Sequence, residues 1–365
     1  MTDLNIFKIS TPGRVCLFGE HQDYLNLPVI PCAISLRISL EGKRRDDSIV
    51  HIDLPDINSE DTFSIDATLN YLRERDYFRS GINILRRAGY SFSRGLECNV
   101  HGEIPISAGT SSSSALVVSW INFLSHISDQ GKVLTLEEIA RIAHEAEVLE
   151  FNEPGGMMDQ YSTSLGGILF LSFHPLLSVV SINAVSGNFV LGDSRSPKNT
   201  KEILSRVKNR VLNIVQRILK IHPGFSLHTI SIGELDKFSK FLNKEEISWL
   251  KGTIRNRDIT FEALELFRSK ELDEKMFCSL LNEHQTILRD VLQISTPKID
   301  KMLDAAMNAG AYGGKINGSG GGGCMFVYAP KNTEVVAEAV EKAGGKAYIV
   351  RVDEGTRVES MTEQK

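Results

Sequence analysis

The stretch Ile104–Ala115 reads IPISAGTSSSSA, and it runs straight into ALVVSWINFLSHI (115–127). Small residues let a loop backbone approach an anion closely. The N-terminus of the following helix would add unpaired N–H groups and a partial positive charge. The segment therefore reads as a phosphate cradle opening a helix that is apolar almost all round and so buried within its domain. A flexible Ser-rich linker is the alternative, but linkers are not ordinarily followed at once by such an apolar run. The loop has no GKS or GKT, which argues against a Walker A sequence.

Three further segments carry chemistry. TPGRVCLFGEHQDY (11–24) crowds Arg14, Glu20, His21 and Asp23 into ten residues beside a strand-like VCLF. Such acidic and imidazole groups suit hydrogen bonding to several hydroxyls, the alternative being a solvated charged turn. One local histidine is too few for a metal cluster. PGGMMDQ (154–160) sets Asp159 after a Pro-Gly-Gly turn and amid apolar residues, where it could also cap a helix. GAYGGKINGSGGGGC (310–324) holds a glycine run between Gly318 and Cys324 that would be ruinous inside a helix or strand, and that suits backbone passing close to a ligand or another loop, or a hinge.

The chain of 365 residues suits two domains, with 42% apolar and 24% charged side chains as in a soluble globular protein. Forty-one basic against forty-six acidic residues leave a net charge of -5, so no overall positive field exists to hold nucleic acid. No basic start with an apolar core and no run of about 18 apolar residues is present, so neither a secretory signal nor a membrane partner is expected. Five scattered cysteines without a CxxC pair argue against a disulfide framework or zinc site, and the expected compartment is reducing and cytoplasmic. Alternating runs from Ile6 to Phe63 predict strands, and helical spacing predicts a helix over about 66–89 that stops at Gly89. LTLEEIARIAHEAEVLEF predicts a helix begun by a Thr135–Glu138 capping box. Downstream, amphipathic stretches at 200–221, 234–251, 258–269, 273–293 and 296–309 predict a largely helical region, with strands returning at CMFVYA and KAYIVRV.

Taken in order, these segments resemble the GHMP kinases, and within them the galactokinases. PGRVCLFGEHQDY is similar to PGRVNLIGEHTDY, IPISAGTSSSSALVV to PxGAGLSSSASLEV, and PGGMMDQYSTSLGG to CGIMDQFISALG. The glycine-rich 310–324 segment looks like the family's third motif. The resemblance implies an α/β (α+β) chain of two parts. An N-terminal domain like ribosomal protein S5 domain 2 would span 1–175, and a ferredoxin-like C-terminal domain 176–365, with the active site between them. It implies ATP and Mg²⁺, a sugar as acceptor, and a monomer or weak homo-oligomer.

Residue by residue, the resemblance makes Asp159 the catalytic acid position and Arg14 the arginine beside it. It makes Glu20, His21, Asp23 and Gly156 sugar contacts, and Ser113 with Glu147 the magnesium-associated positions. Ser107, Ala108, Gly109, Thr110, Ser111, Ser112, Ser113 and Ser114, with Gly318, Ser319, Gly320 and Gly321, would hold the triphosphate. The chemistry agrees, because a carboxylate can accept the proton of a hydroxyl while an always-charged arginine stabilises the transferring oxygens. Two departures bear on the acceptor: Gln22 replaces the Thr of HTDY, and Lys198 in KNTKE stands where galactokinases carry a Tyr packed on the sugar. A cation there removes a stacking face and adds a donor in the sugar wall. A mevalonate-type kinase, which usually shows Lys at the Arg14 position and lacks EHxDY, and a galactokinase-like sugar sensor without turnover are the competing readings.

Overall fold

The computed structural model describes residues 5–66, 68–183 and 187–363. The alternating N-terminal runs form two long strands, β1 (Asn5–Phe18) and β2 (Ile30–Arg44), then β3 (Ile49–Leu54) and β4 (Ser59–Ser64). Pro12 cannot give an N–H to the ladder, and the register jumps there from Pro12 opposite Arg37 to Gly13 opposite Ile34. This bulge lies immediately before Arg14. The helix predicted over 66–89 is shorter, α1 being Tyr77–Arg87. The Asp76 carboxylate accepts from Leu72 N–H at 3.0 Å and from Arg79 at 3.1 Å, tying the preceding segment into a non-helical turn. The stop holds, with Gly89 at φ +90°.

After β5 (Leu96–Gly102), α2 (Ser112–Ile127) is buried on nearly every face because it lies against β1 and β2 on one side and helices on the other. Trp120 in α2 donates its indole N–H to Phe78 O of α1 at 3.0 Å. The Thr135–Glu138 capping box opens α3 (Leu136–His144). The predicted continuation to Phe151 widens instead into a π turn over Glu145–Leu149, where Glu150 N–H reaches back five residues to Glu145 O at 3.0 Å. α4 (Met158–Leu165), β6 (Ile168–Ser172) and β7 (Ser178–Ile182) follow.

The second half begins with β8 (Phe189–Asp193) and α5 (Thr200–Leu219). Where two helices are predicted at 234–251 and 258–269, a short 3-10 turn (Ile232–Phe238) precedes one long α6 (Lys244–Phe267). The polar run that reads as a break turns inward: Asn256 is buried and Arg257 donates to Leu227 O at 2.5 Å. Then come α7 (Glu274–Asp290), α8 (Pro297–Asn308), β9 (Gly313–Ile316), β10 (Cys324–Tyr328), α9 (Thr333–Lys342), β11 (Lys346–Val350) and β12 (Arg357–Glu363).

The strands make an eight-stranded sheet in the order β12-β1-β2-β5-β3-β4, with β6 joining β2 and β7 joining β6, and a four-stranded antiparallel sheet β11-β8-β10-β9. Within the larger sheet only β3 and β5 run parallel among the described pairs. β7 and β12 both lie beyond residue 175, so the first sheet draws on both sides of the division expected from sequence. A shared core joins the halves: Val15, Leu17, Phe18 and Ile34 of the first sheet pack with Phe189, Leu191 and Phe326 of the second and with Phe277 of α7. The chain is thus a mixed α/β molecule of two parts with one continuous seam. The C-terminal half of β1 with the turn after it, the start of α2, the start of α4 and the β9–β10 loop open onto that seam.

Candidate active site

A cleft of about 420 Å³ lies along the seam, apolar at one end and polar at the other. Arg14 and Asp159 stand in its wall. Arg14 Nε donates to Asp159 Oδ1 at 2.8 Å, and a second guanidinium nitrogen lies 2.7 Å from the same oxygen. Asp159 Oδ2 is left without a partner among the described residues, and 31% of the Asp159 side chain stays exposed. Burial opposes the charge on Arg14, but the Asp159 and Glu20 carboxylates outweigh it and raise its pKa. The phosphate loop holds Arg14 from the other side, with Gly109 O accepting from its guanidinium at 2.5 Å and Thr110 O from its backbone N–H at 3.1 Å.

Glu20, His21, Asp23 and Gly156 converge at the polar end. Asp23 is the one most open to a ligand. Its Oδ1 accepts from Tyr24 N–H at 2.9 Å and its Oδ2 accepts from Met158 N–H at 3.3 Å. Burial, followed by the charge of Asp159, pushes its pKa up to about 6. Gly156 faces it closely, since a Cβ there would lie 2.3 Å from Asp23 Oδ2. Glu20 and His21 are engaged within the protein. Glu20 takes the Lys315 ammonium on Oε2 at 2.5 Å and Gly318 N–H on Oε1 at 2.6 Å. His21 Nε2 lies 3.0 Å from Ser319 O, so that nitrogen carries the proton and Nδ1 accepts from Tyr24 Oη at 2.7 Å. Burial lowers its pKa to about 4, which keeps the ring neutral.

Ser107, Gly109 and Ser111–Ser114 also line the cleft, as do Gly318 and Ser319. Ser107, Gly109 and Ser111 hold positive φ (57°, 88° and 61°), and the buried Ser111 Oγ has no partner, as a loop shaped to receive an acceptor-rich group would leave it. Ala108 and Thr110 are buried within the protein. Gly320 packs against Ile294 and Gly321 against Ile203, and Gly321 N–H is spent on Ile294 O at 2.7 Å. The two glycine loops touch: a Cβ on Gly318 would sit 2.7 Å from Gly109 O, and one on Gly109 would sit 2.8 Å from Asn317 O. Asn317, which the sequence reading passed over, ties them by donating to Gly109 O at 2.8 Å while accepting from Cys16 N–H at 2.8 Å. Beyond the loop, Ile38, Leu54, Ile57, Val100, Ile104 and Leu116 form an apolar slot of the kind a nucleobase occupies.

Lys198, expected in the sugar wall, has its Nζ beside these loops. It donates to Ser319 Oγ at 3.1 Å, and Cβ atoms built on Gly109 and Gly323 would lie 2.8 and 3.2 Å from it.

Glu147 and Ser113 fit a magnesium site in their chemistry. Glu147 is buried in the π turn, where burial raises its pKa while Gln160, Ser114 and Ser113 act to lower it. Gln160 Nε2 donates to it at 2.6 Å, and no cationic side chain pairs with it among the described residues. A hard oxygen pair of this sort matches an ion that takes few protein ligands and completes its shell with phosphate and water. No group of three or more His, Cys, Asp or Glu positioned for a metal occurs among the described residues, so the site would depend on the nucleotide.

Residues 76–167 match the family model for the GHMP kinases N terminal domain and 261–348 that for the GHMP kinases C terminal, while 4–44 match the galactokinase galactose-binding signature. Mevalonate kinase of Thermococcus sibiricus is 28% identical over 97% of this chain and 98% of its own, and galactokinase of Glaesserella parasuis is 26% identical over 96% and 94%. In fold, the chain superposes on Lactococcus lactis galactokinase complexed with galactose with a TM-score of 0.86 at 22% identity, covering 96% of this chain and 95% of that one. For Methanococcus jannaschii mevalonate kinase the TM-score is 0.73 at 21% identity, over 95% and 98%. With both terminal domains of the family matched in order around an Arg–Asp pair and two touching glycine loops, the chain belongs to the GHMP kinases.

Proposed function

We propose that this protein is an ATP-dependent sugar kinase that transfers the γ-phosphoryl group to a sugar hydroxyl, the anomeric 1-OH. The observation that carries the reading is the placement of Asp159, part-exposed and with no partner on Oδ2 among the described residues, in the same cleft as Asp23 and Gly156. The acceptor hydroxyl would give its proton to Asp159 as its oxygen bonds to the γ-phosphorus and the bond to the β–γ bridging oxygen breaks. Arg14 positions that carboxylate and adds a fixed positive charge at the transferring oxygens. Ser107, Gly109 and Ser111–Ser114 would cradle the phosphates from one side, Gly318 and Ser319 from the other. Glu147 and Ser113 would hold Mg²⁺, which supplies charge neutralisation to the phosphate oxygens when bound. Asp23 would accept a sugar hydroxyl, and Glu20 and His21 would hold the loop that presents it.

The 4–44 match to a galactose-binding signature supports a sugar. The similarity to mevalonate kinases supports a second reading, in which the acceptor is mevalonate. The test is a coupled ADP-release assay with galactose, N-acetylgalactosamine, L-arabinose, fucose, glucuronate and mevalonate. Turnover with at least one sugar and none with mevalonate is expected. Turnover with mevalonate alone would replace the sugar by mevalonate, and binding of ATP and sugar with no turnover would favour a sensor.

A further inference from the structure

Lys198 precedes α5, in the second half of the chain, and crosses the seam to the phosphate loop of the first. Its Nζ lies against Gly109 and Gly323 and 3.1 Å from Ser319 Oγ, so it sits where the two glycine loops meet. Arg14 reaches the carbonyl of that same Gly109. Lys198 is partly buried, yet no carboxylate lies within 4.0 Å of it among the described residues, and Ser319 Oγ is its one hydrogen-bond partner there. An ammonium has three N–H donors and a large cost of desolvation when unpaired. Two of its donors are therefore left for a ligand, and both flanking loops are the ones shaped to receive phosphate oxygens.

We propose that Lys198 is a catalytic residue that binds the terminal phosphoryl group of the nucleotide and, together with Arg14, stabilises its charge during transfer. The assignment rests on the kinase reading above. As the acceptor oxygen bonds to the γ-phosphorus and the bond to the bridging oxygen breaks, the proton passes to Asp159 and negative charge grows on the departing diphosphate. Lys198 would hold the oxygens of the transferring phosphoryl group from beside Ser319, while Arg14 holds them from beside Asp159. Burial, the largest influence on Lys198, lowers its pKa to about 8, as expected of an ammonium that waits for an anion.

The test compares the parent with Lys198→Met, which keeps the length of the side chain and removes its charge. Binding of Mg·ADP and of a non-hydrolysable Mg·ATP analogue is measured by calorimetry without any acceptor, alongside thermal unfolding and steady-state kinetics. We expect the variant to unfold at or above the parent temperature and to bind Mg·ADP within about twofold of it. Its affinity for the ATP analogue should fall about tenfold or more, since one charge-assisted bond is lost. With the best acceptor, kcat should fall by about 100-fold or more with acceptor KM little changed. Equal losses for both nucleotides, or no loss for either, would overturn the assignment. So would a rise confined to acceptor KM, which would place Lys198 on the sugar. A clear fall in unfolding temperature would make it a structural pin between the loops. The two binding measurements keep their meaning even where no sugar in the panel is phosphorylated, so failure of the kinase reading and failure of the Lys198 assignment are separately visible.

Discussion

At the scale of single residues, the cleft divides its carboxylates by what they already hold. Asp159 spends Oδ1 on Arg14 and keeps Oδ2, so Asp159→Asn retains an oxygen for Arg14 and loses the proton acceptor. The variant should keep its fold and MgATP binding while turnover falls by about 100-fold or more, and near-full kcat would remove the base role. Asp23 makes a pH-dependent prediction. Its pKa in the fold, about 6, stands above the ordinary 3.8, so the ionised form is the costly one in the folded state. Both states are protonated below the ordinary value; as pH rises towards 6 the unfolded chain ionises first and stability is lost. Asp23→Asn should therefore raise the unfolding temperature at pH 7 and leave it unchanged near pH 3. In the parent, protonation below about pH 6 removes a hydroxyl acceptor, and apparent sugar KM should rise from pH 7 to pH 5. A flat KM would take Asp23 out of the sugar contact.

At the scale of elements, the glycine loop and the π turn are where local backbone serves the site. Gly318 has φ +77° and Gly109 O would lie 2.7 Å from any Cβ on it, so Gly318→Ala must part the two loops. Nucleotide KM should then rise more than sugar KM, and unchanged values for both would show that the contact is dispensable. The π turn over Glu145–Leu149 interrupts the regular helix at the point where Glu147 faces Ser113, Ser114 and Gln160. Glu147→Gln and Ser113→Ala should each raise the magnesium concentration needed for half-maximal rate more than they raise sugar KM. Unchanged magnesium dependence in both would withdraw the metal assignment. The widened turn was not legible beforehand, because its i to i+5 bond does not alter the apolar spacing of IARIAHEAEVL enough to be told from a plain helix.

At the scale of the whole molecule, a buried ion pair fastens the opening motif to the glycine-rich segment. Lys315 is 0% exposed and Glu20 2%, and Glu20 also receives Gly318 N–H. Removing one partner strands the other charge, so Lys315→Met should cost about 3–5 kcal/mol, and Glu20→Gln combined with it should recover much of that. Additive losses in denaturant unfolding would show that the two do not act as a pair. The residues that announce the chemistry could be read directly: Arg14 and Asp159 stand in short motifs, and small residues at 107–114 and 318–323 have few uses other than close backbone approach. The opening strands, the helix stop at Gly89 and the Thr135 cap were legible for the same reason, being set by neighbours within a few positions. What the motifs could not convey is which groups remain free. Glu20 and His21 look like ligands in GEHQDY until Lys315, Gly318 and Ser319, some 298 residues away, are seen to occupy them. Asn317 and Lys198 acquire their places at Gly109 through contacts equally remote in sequence. Local sequence determines which donors and acceptors a segment owns, and only tertiary packing decides which of them are spent on the fold and which are left for a substrate.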